Sequence, residues 1–323
     1  MIPYMTRPWW LILTVLPAVL PLAAQEPAPI DPAAHFTEEV AVAYVLVPVV
    51  VRSGARYVKN LDKRDFRLLV DGKPVPIDSF EYRLEAPASV MVLQDLSGSM
   101  EGRSLDLSRE AVRFFLDKAL PGDELALATF AGEGLEVEVP FTSDLGALRE
   151  SILLWKGWST TALHDAVTAV PGLSQSGKNP KRFAILLTDG LDNASKIAPE
   201  QARDLVRQAQ VPVYVLGMAT GDPFQIDAEG KKIYRYADVL NLLATTTGGR
   251  YYSISGSEDL QKALAAILDD LRHQYVLGFA TSEGPSRQRD VQVQVKAGDR
   301  TVLFRRGYKG PPPALRAATG GSR

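Results

Sequence analysis

Between Val90 and Arg272, short apolar runs alternate with segments of helical period, and this alternation constrains the chain more than any other feature. Val90-Met91-Val92-Leu93 is β-branched and too short for a stable helix, which favours a buried strand. In the next segment Leu105, Leu107, Ala111, Val112, Phe115, Leu116 and Leu120 recur near a period of 3.6, predicting a helix over 104–120 that Pro121-Gly122 stops. The same reading places strands at 125–130, 135–141, 183–187, 211–216 and 250–254. Helices are expected at 144–154, with Asp144 as N-cap, and at 162–173, 199–210, 239–247 and 257–272. Strands alternating with helices of this size predict an α/β fold whose mostly parallel sheet is covered on both faces.

The flanks read differently. Residues 40–51 have strand composition, with Pro48 marking an edge or a bend. Residues 67–70 run into the hairpin signal Asp71-Gly72, and 75–82 reads as another strand. After Arg272 the helices stop, and 274–280, 291–295 and 301–304 read as strands. Neither β segment has enough area to bury a core alone. The N-terminal β segment (38–85) and the C-terminal one (273–309) are therefore expected to pair in one small β layer beside the α/β unit (86–272), followed by a disordered tail over 310–323.

Residues 1–24 carry an early Arg7, an apolar run from Trp9 to Leu22 broken by Pro17 and Pro21, and small residues Ala23-Ala24 before Gln25. This is the layout of a cleaved signal peptide. The run is shorter than the ~20 apolar residues that span a bilayer. Export to the periplasm or the medium is expected, with 25–37 a flexible leader.

The chain has 323 residues, no cysteine and three histidines (His35, His164 and His273), which removes thiolate metal sites and cysteine nucleophiles and leaves too little imidazole for a transition-metal cluster. A formal charge of -2 supplies no basic field for a phosphate backbone, so no nucleic-acid partner is expected. A metal, if held, must be held by oxygen.

The string Asp95-Leu96-Ser97-Gly98-Ser99 offers that oxygen. It follows the first buried strand of the α/β unit, where open parallel sheets bind ligands. Three short oxygen-bearing side chains at alternate positions can converge from a tight loop that Gly98 permits. One carboxylate and two hydroxyls form a hard-cation set suited to Mg²⁺ or Mn²⁺, with Ca²⁺ a further candidate. Ser159-Thr160-Thr161 precedes a helix, and Thr188-Asp189-Gly190 follows a strand, both on the same sheet edge.

Together, the segment Val90 to Met100, the segment Thr161-Ala162-Leu163-His164-Asp165-Ala166 and the segment Ile185 to Gly190 resemble the von Willebrand factor A (VWA) domain. The resemblance covers roughly 88–272. It implies a Rossmann-like sheet of order 3-2-1-4-5-6 with one antiparallel edge strand, and a metal-ion-dependent adhesion site (MIDAS) formed by Asp95, Ser97, Ser99, Thr161 and Asp189. The flanking Asp62-Lys63-Arg64-Asp65-Phe66 and the ending His273 to Phe279 with Arg305-Arg306-Gly307-Tyr308 resemble secreted bacterial VWFA-related domain proteins.

The resemblance implies a binding module in which a partner protein supplies a Glu or Asp carboxylate to the metal. A metal-assisted hydrolase and a purely structural envelope domain are the alternatives. No enzyme is expected, because the three loops hold no general base beyond the ligands themselves, and neither GxSxG nor GxxxxGK[ST] occurs. Asp192 and Asn193 read as solvated turn residues. Trp155 and Trp158 either pack under the Thr161 loop or form an aromatic rim beside it. The insert 220–236 is a binding loop or a plain hairpin.

Overall fold

A computed structural model describes residues 43–206, 211–220, 228–230, 235–281, 288–296 and 298–309. The expected signal peptide, leader and tail, and most of the 220–236 insert, lie outside the described residues.

The chain opens with strands β1 (Ala43–Ser53), β2 (Arg56–Tyr57), β3 (Phe66–Val70), β4 (Lys73–Val75) and β5 (Ser79–Glu81). The α/β unit follows as β6 (Ala88–Asp95), α1 (Arg103–Asp117), β7 (Glu124–Ala131), β8 (Gly134–Thr142), α2 (Leu145–Ser151), α3 (Leu163–Val167), α4 (Val170–Gln175) and β9 (Lys181–Thr188). It continues through α5 (Pro199–Val206), β10 (Val213–Met218), α6 (Arg235–Thr247), β11 (Tyr251–Ile254) and α7 (Ser257–Arg272). Strands β12 (Tyr275–Thr281), β13 (Gln288–Val295), β14 (Thr301–Phe304) and β15 (Gly307–Lys309) close the described chain.

The central sheet has six strands in the order β11-β10-β9-β6-β7-β8. Counted within the α/β unit this is 3-2-1-4-5-6, with β8 antiparallel to β7 at one edge and the other pairs parallel. Every residue of β6 is buried, as a central strand covered on both faces requires. Val90 and Val92 face the core formed with α1, α2 and α7, while Met91 and Leu93 face the core formed with α3 to α6. The period of two along β6 thus divides one strand between two cores.

The flanking segments interleave as a sandwich of two antiparallel sheets. One runs β14-β1-β12-β5, with β2 beside β1, and the other runs β15-β13-β3-β4. Val45, Val47, Val49 and Val51 of β1 meet Phe66, Leu68, Tyr275, Leu277, Phe279 and Val293 in a third core. The accessory β layer is therefore two facing sheets, each drawing strands from both ends of the chain.

Two local expectations change. The helix expected over 162–173 is two short helices, because Pro171 has no amide hydrogen to give to a preceding turn, and the first helix ends at Val167. The strand expected over 75–82 splits into β4 and β5, which join different sheets across Pro76. Pro48 pairs only with Val276 of β12, because β14 joins β1 from Val49 onward; the proline sits where one flank of the strand is open, as its edge reading expects.

The sandwich packs against the amino ends of the central strands. Lys181, at the start of β9, is fully buried and donates to the carbonyls of Arg83 and Arg272. Asp123, just before β7, accepts from Ala88 N at 2.7 Å and pairs with Arg272 at 2.6 Å. Burial pulls the Lys181 ammonium down to about 8, with Arg272 adding repulsion. Between that value and the ordinary lysine range the unfolded chain binds more protons than the folded one, so stability should rise with pH from about 8 toward 10. The slope from this group is at most about 1.4 kcal/mol per pH unit. Urea unfolding at pH 7, 8, 9 and 10 checks this, and Lys181→Met should flatten the rise.

Candidate metal centre

The site forms where β6 and β9 end, at the edge of the sheet away from the sandwich. Asp95 is the last residue of β6 and is fully buried. Its Oδ1 accepts from Ser97 N at 2.9 Å, closing the loop on itself, and its Oδ2 accepts from Thr188 Oγ1 at 2.7 Å. That second bond ties the end of β6 to the end of β9, immediately before Asp189. Burial pushes the Asp95 carboxyl up to about 6; the bonds from Thr188 and Ser97 act against this, and the Asp189 charge adds to it.

Ser97 Oγ lies 3.2 Å from Ser99 Oγ, so the two hydroxyls of the first loop converge as the sequence expects. Gly98 permits this differently from the expectation. It takes no left-handed φ, and a Cβ there would meet only the Ser159 carbonyl at an ordinary 3.6 Å. The loop is held by its backbone: Gly98 N donates to Ser159 O at 2.8 Å, and Ser97 and Ser159 form a parallel bridge. Glycine is required instead at Gly190, where φ is +79° and a Cβ would lie 2.9 Å from Leu240 Cδ1.

The same bridging draws in the second loop. Gly132 N donates to Thr160 O at 2.6 Å, and Gly132 bridges Thr161. Thr161 is buried and Thr160 exposed. Asp189 is half-buried, and its Oδ1 accepts from Leu191 N at 3.0 Å. Asp95, Ser97, Ser99, Thr161 and Asp189 thus belong to three loops joined by hydrogen bonds. Among the described residues no three His, Cys, Asp or Glu side chains cluster as a metal site. The donors here are two carboxylates and three hydroxyls, a set that fits a hard cation and no soft one.

Asp192 and Asn193 are structural parts of this centre, which their turn-like sequence context concealed. Asn193 Oδ1 accepts from Thr161 N at 2.8 Å, while Asn193 N and Ala194 N return bonds to Thr161 O at 3.0 Å. Asp192 accepts from His164 N at 2.9 Å and from Ser195 Oγ at 2.6 Å, with His164 Nδ1 3.0 Å from the same carboxylate. His164 and Ser195 both bond the carboxylate, which is the geometry of a loop clamp. Asn193→Ala should destabilise the fold by about 1 kcal/mol, the ordinary worth of one hydrogen bond. It should also weaken Mg²⁺ binding by loosening Thr161. Thermal melts with and without Mg²⁺ read both effects.

Trp155 is buried, its Nε1 donating to Glu138 Oε2 at 3.0 Å, and Trp158 is 65% exposed. The pair divides into one packing residue and one rim residue.

A parallel α/β sheet with an antiparallel edge, and an acid–hydroxyl loop at the carboxyl end of its first strand, define the class of A-type domains. Residues 90–191 match the family model for the von Willebrand factor type A domain, and this part of the chain is a von Willebrand factor type A domain. It is 24% identical over 199 residues to an uncharacterized protein of Borreliella burgdorferi, covering 56% of this chain and 58% of that one. It is 26% identical over 242 residues to human inter-alpha-trypsin inhibitor heavy chain H4, covering 70% of this chain and 25% of that one. The chain thus spans less than two thirds of either relative. Similar solved structures include BatB from Bacteroides thetaiotaomicron (20% identity, TM-score 0.45, 57% of this chain and 97% of that one). A von Willebrand factor type A protein from Catenulispora acidiphila is also similar (14% identity, TM-score 0.47, 76% and 72% covered).

Proposed function

We propose that this chain is an exported, non-enzymatic binding module that holds a divalent cation, Mg²⁺ or Mn²⁺ and alternatively Ca²⁺, at Asp95, Ser97, Ser99, Thr161 and Asp189. It uses that site for cation-dependent protein–protein interaction or adhesion. The observation that carries the reading is the buried Asp95 carboxylate, fixed by Ser97 and Thr188 beside two converging serine hydroxyls and within electrostatic reach of Asp189. Burial and the Asp189 charge both disfavour the ionised Asp95 carboxylate, and a bound cation would remove that cost. Bound there, the cation would supply an open coordination position for a Glu or Asp carboxylate from a partner protein. Asp95 and Asp189 formally balance a divalent charge, and a partner carboxylate would enter as a further hard oxygen ligand in place of water. The serine and threonine hydroxyls orient the loops without adding charge.

Retention of envelope proteins on the immobilised chain tests this reading. A partner held in Mg²⁺, released by EDTA and not retained by Asp95→Ala is the expected result; retention indifferent to EDTA contradicts it. Export is a separate expectation, carried by Trp9 to Leu22 and Ala23-Ala24. No helix among the described residues is long and apolar enough to cross a membrane. Mass spectrometry of protein from its native host should show a chain starting at Gln25, and an intact Met1 in the membrane fraction contradicts cleavage.

A further inference from the structure

Beside the metal centre lies an open groove of about 680 Å³ that the ion-binding residues do not use. One wall is the β7–β8 hairpin, with Glu133, Glu136 and Glu138; the other is the loop carrying Leu154, Lys156 and Trp158. The groove is continuous with the centre, because Ser159 at its end bridges Ser97 and Trp158 N donates to Leu96 O at 3.0 Å.

The loop presents apolar surface to solvent. Leu153 is 64% exposed, Leu154 84% and Trp158 65%. Exposed single apolar residues are ordinary, but three within six positions, one of them tryptophan, form a patch of the kind that anchors a partner. The loop is also fixed. Gly157 N donates to Glu101 Oε2 at 2.5 Å, Arg109 Nε donates to Ile152 O at 3.1 Å, and the same guanidinium donates to Trp155 O. A surface held in place before binding loses less entropy on binding.

The opposite wall is acidic. Glu133 pairs with Lys196 at 2.7 Å, and Glu138 accepts from the neutral donors Ser151 and Trp155. Glu136 is exposed on the same wall. With Glu133 neutralised by Lys196, Glu136 and Glu138 face one ammonium, Lys156, and leave the lining one charge negative, which favours a basic occupant.

We infer that this groove docks an extended segment of a partner protein in which an apolar side chain, seated against Trp158 and Leu154, stands next to an Arg or Lys facing Glu136 and Glu138. The inference rests on the proposed cation-dependent interaction in one respect: an acidic residue a few positions away in the same segment reaches the metal centre.

The probe is a library of linear dodecapeptides displayed on phage and panned against the full chain in Mg²⁺. Enriched sequences are then synthesised and measured by fluorescence anisotropy. The expected consensus pairs an apolar residue with Arg or Lys and includes an acidic residue. Trp158→Ala should weaken these peptides about tenfold or more, the loss expected for an anchoring tryptophan. Glu136→Lys should weaken them through the basic position. Trp158 is a surface residue, so an unchanged thermal melt of Trp158→Ala separates lost docking from lost folding.

Peptides that need Trp158 but ignore EDTA leave the groove standing and overturn the cation reading. An acidic consensus that needs Mg²⁺ and ignores Trp158 and Glu136 does the reverse. No enrichment overturns the groove. So does a dimer in sedimentation velocity that Trp158→Ala abolishes, because the occupant is then a second copy of the chain.

Discussion

Asp270→Ala should destabilise the protein by about 3–5 kcal/mol, the cost of breaking a buried charge pair and leaving its partner uncompensated. Asp270 lies on α7, fully buried. Its Oδ1 accepts from Arg52 at 2.6 Å and from Tyr57 at 2.8 Å, and its Oδ2 accepts from Tyr214 at 3.2 Å, with Arg250 Nε at 3.9 Å. Arg52 belongs to β1 and Tyr57 to β2, so one carboxylate joins the sandwich to the last helix of the α/β unit and to β10. The surrounding groups depend on it. Arg52 sits 4.3 Å over the Tyr57 ring, and His273 stacks on that same ring at 4.3 Å. Burial and the Asp270 charge together hold the Tyr57 and Tyr214 hydroxyls above the usual tyrosine range, keeping both as donors. Asp270→Asn keeps an acceptor and loses the charge, so its loss should be smaller. Urea unfolding of the three proteins measures the series. A loss below about 1 kcal/mol for the alanine variant would place the pair among exposed ion pairs of little worth and would remove the carboxylate as the joint between the two parts.

Much of this architecture was legible in residue pattern. The continuous apolar run of β6 and the helical period of α1 predict a covered parallel sheet because burial on both faces demands apolar residues at successive positions. The pairing of the terminal segments was legible from area alone, since neither could bury a core. Their division into two sheets was not, because it depends on which strands meet across more than two hundred residues: β1 pairs β12, and β3 pairs β13. Asp270 was hidden for the same reason. On a helical wheel it is one more acidic residue, and its partners come from the far end of the sequence.

The candidate site divides in the same way. Asp95, Ser97 and Ser99 are readable because they are close in sequence and their chemistry is shared. Asp192 and Asn193 are not, because their role is to hold the Thr161 backbone, and a carboxylate that accepts amide hydrogens looks in sequence like any turn residue. Trp155 and Trp158 are identical in type and three residues apart, and the fold alone separates the buried one from the exposed one.

The second large effect concerns the ion itself. With Mg²⁺ at a hundredfold excess over Kd, the wild-type protein should gain about 2.7 kcal/mol of stability, since the cation binds only the folded chain. Asp95→Ala removes one of the two carboxylates of the centre and should gain nothing. Without Mg²⁺ that variant should remain folded and be no less stable than wild type by more than the bonds Asp95 makes to Ser97 and Thr188, because burial and the Asp189 charge both penalise its ionised form. Ser97→Ala, Ser99→Ala and Thr161→Ala each remove a neutral oxygen that water can replace, so each should retain part of the gain. The ordering, with the carboxylate first and the hydroxyls after it, separates a bound cation from a general salt effect, which would move all the proteins alike.

Isothermal titration calorimetry of Mg²⁺ and Mn²⁺ into the wild-type and Asp95→Ala proteins is the most direct measurement of the central claim. One saturable site in the wild type and none in the variant is the predicted result. Equal binding by both proteins, or no binding of either ion by the wild type, contradicts a cation held at Asp95, Ser97, Ser99, Thr161 and Asp189.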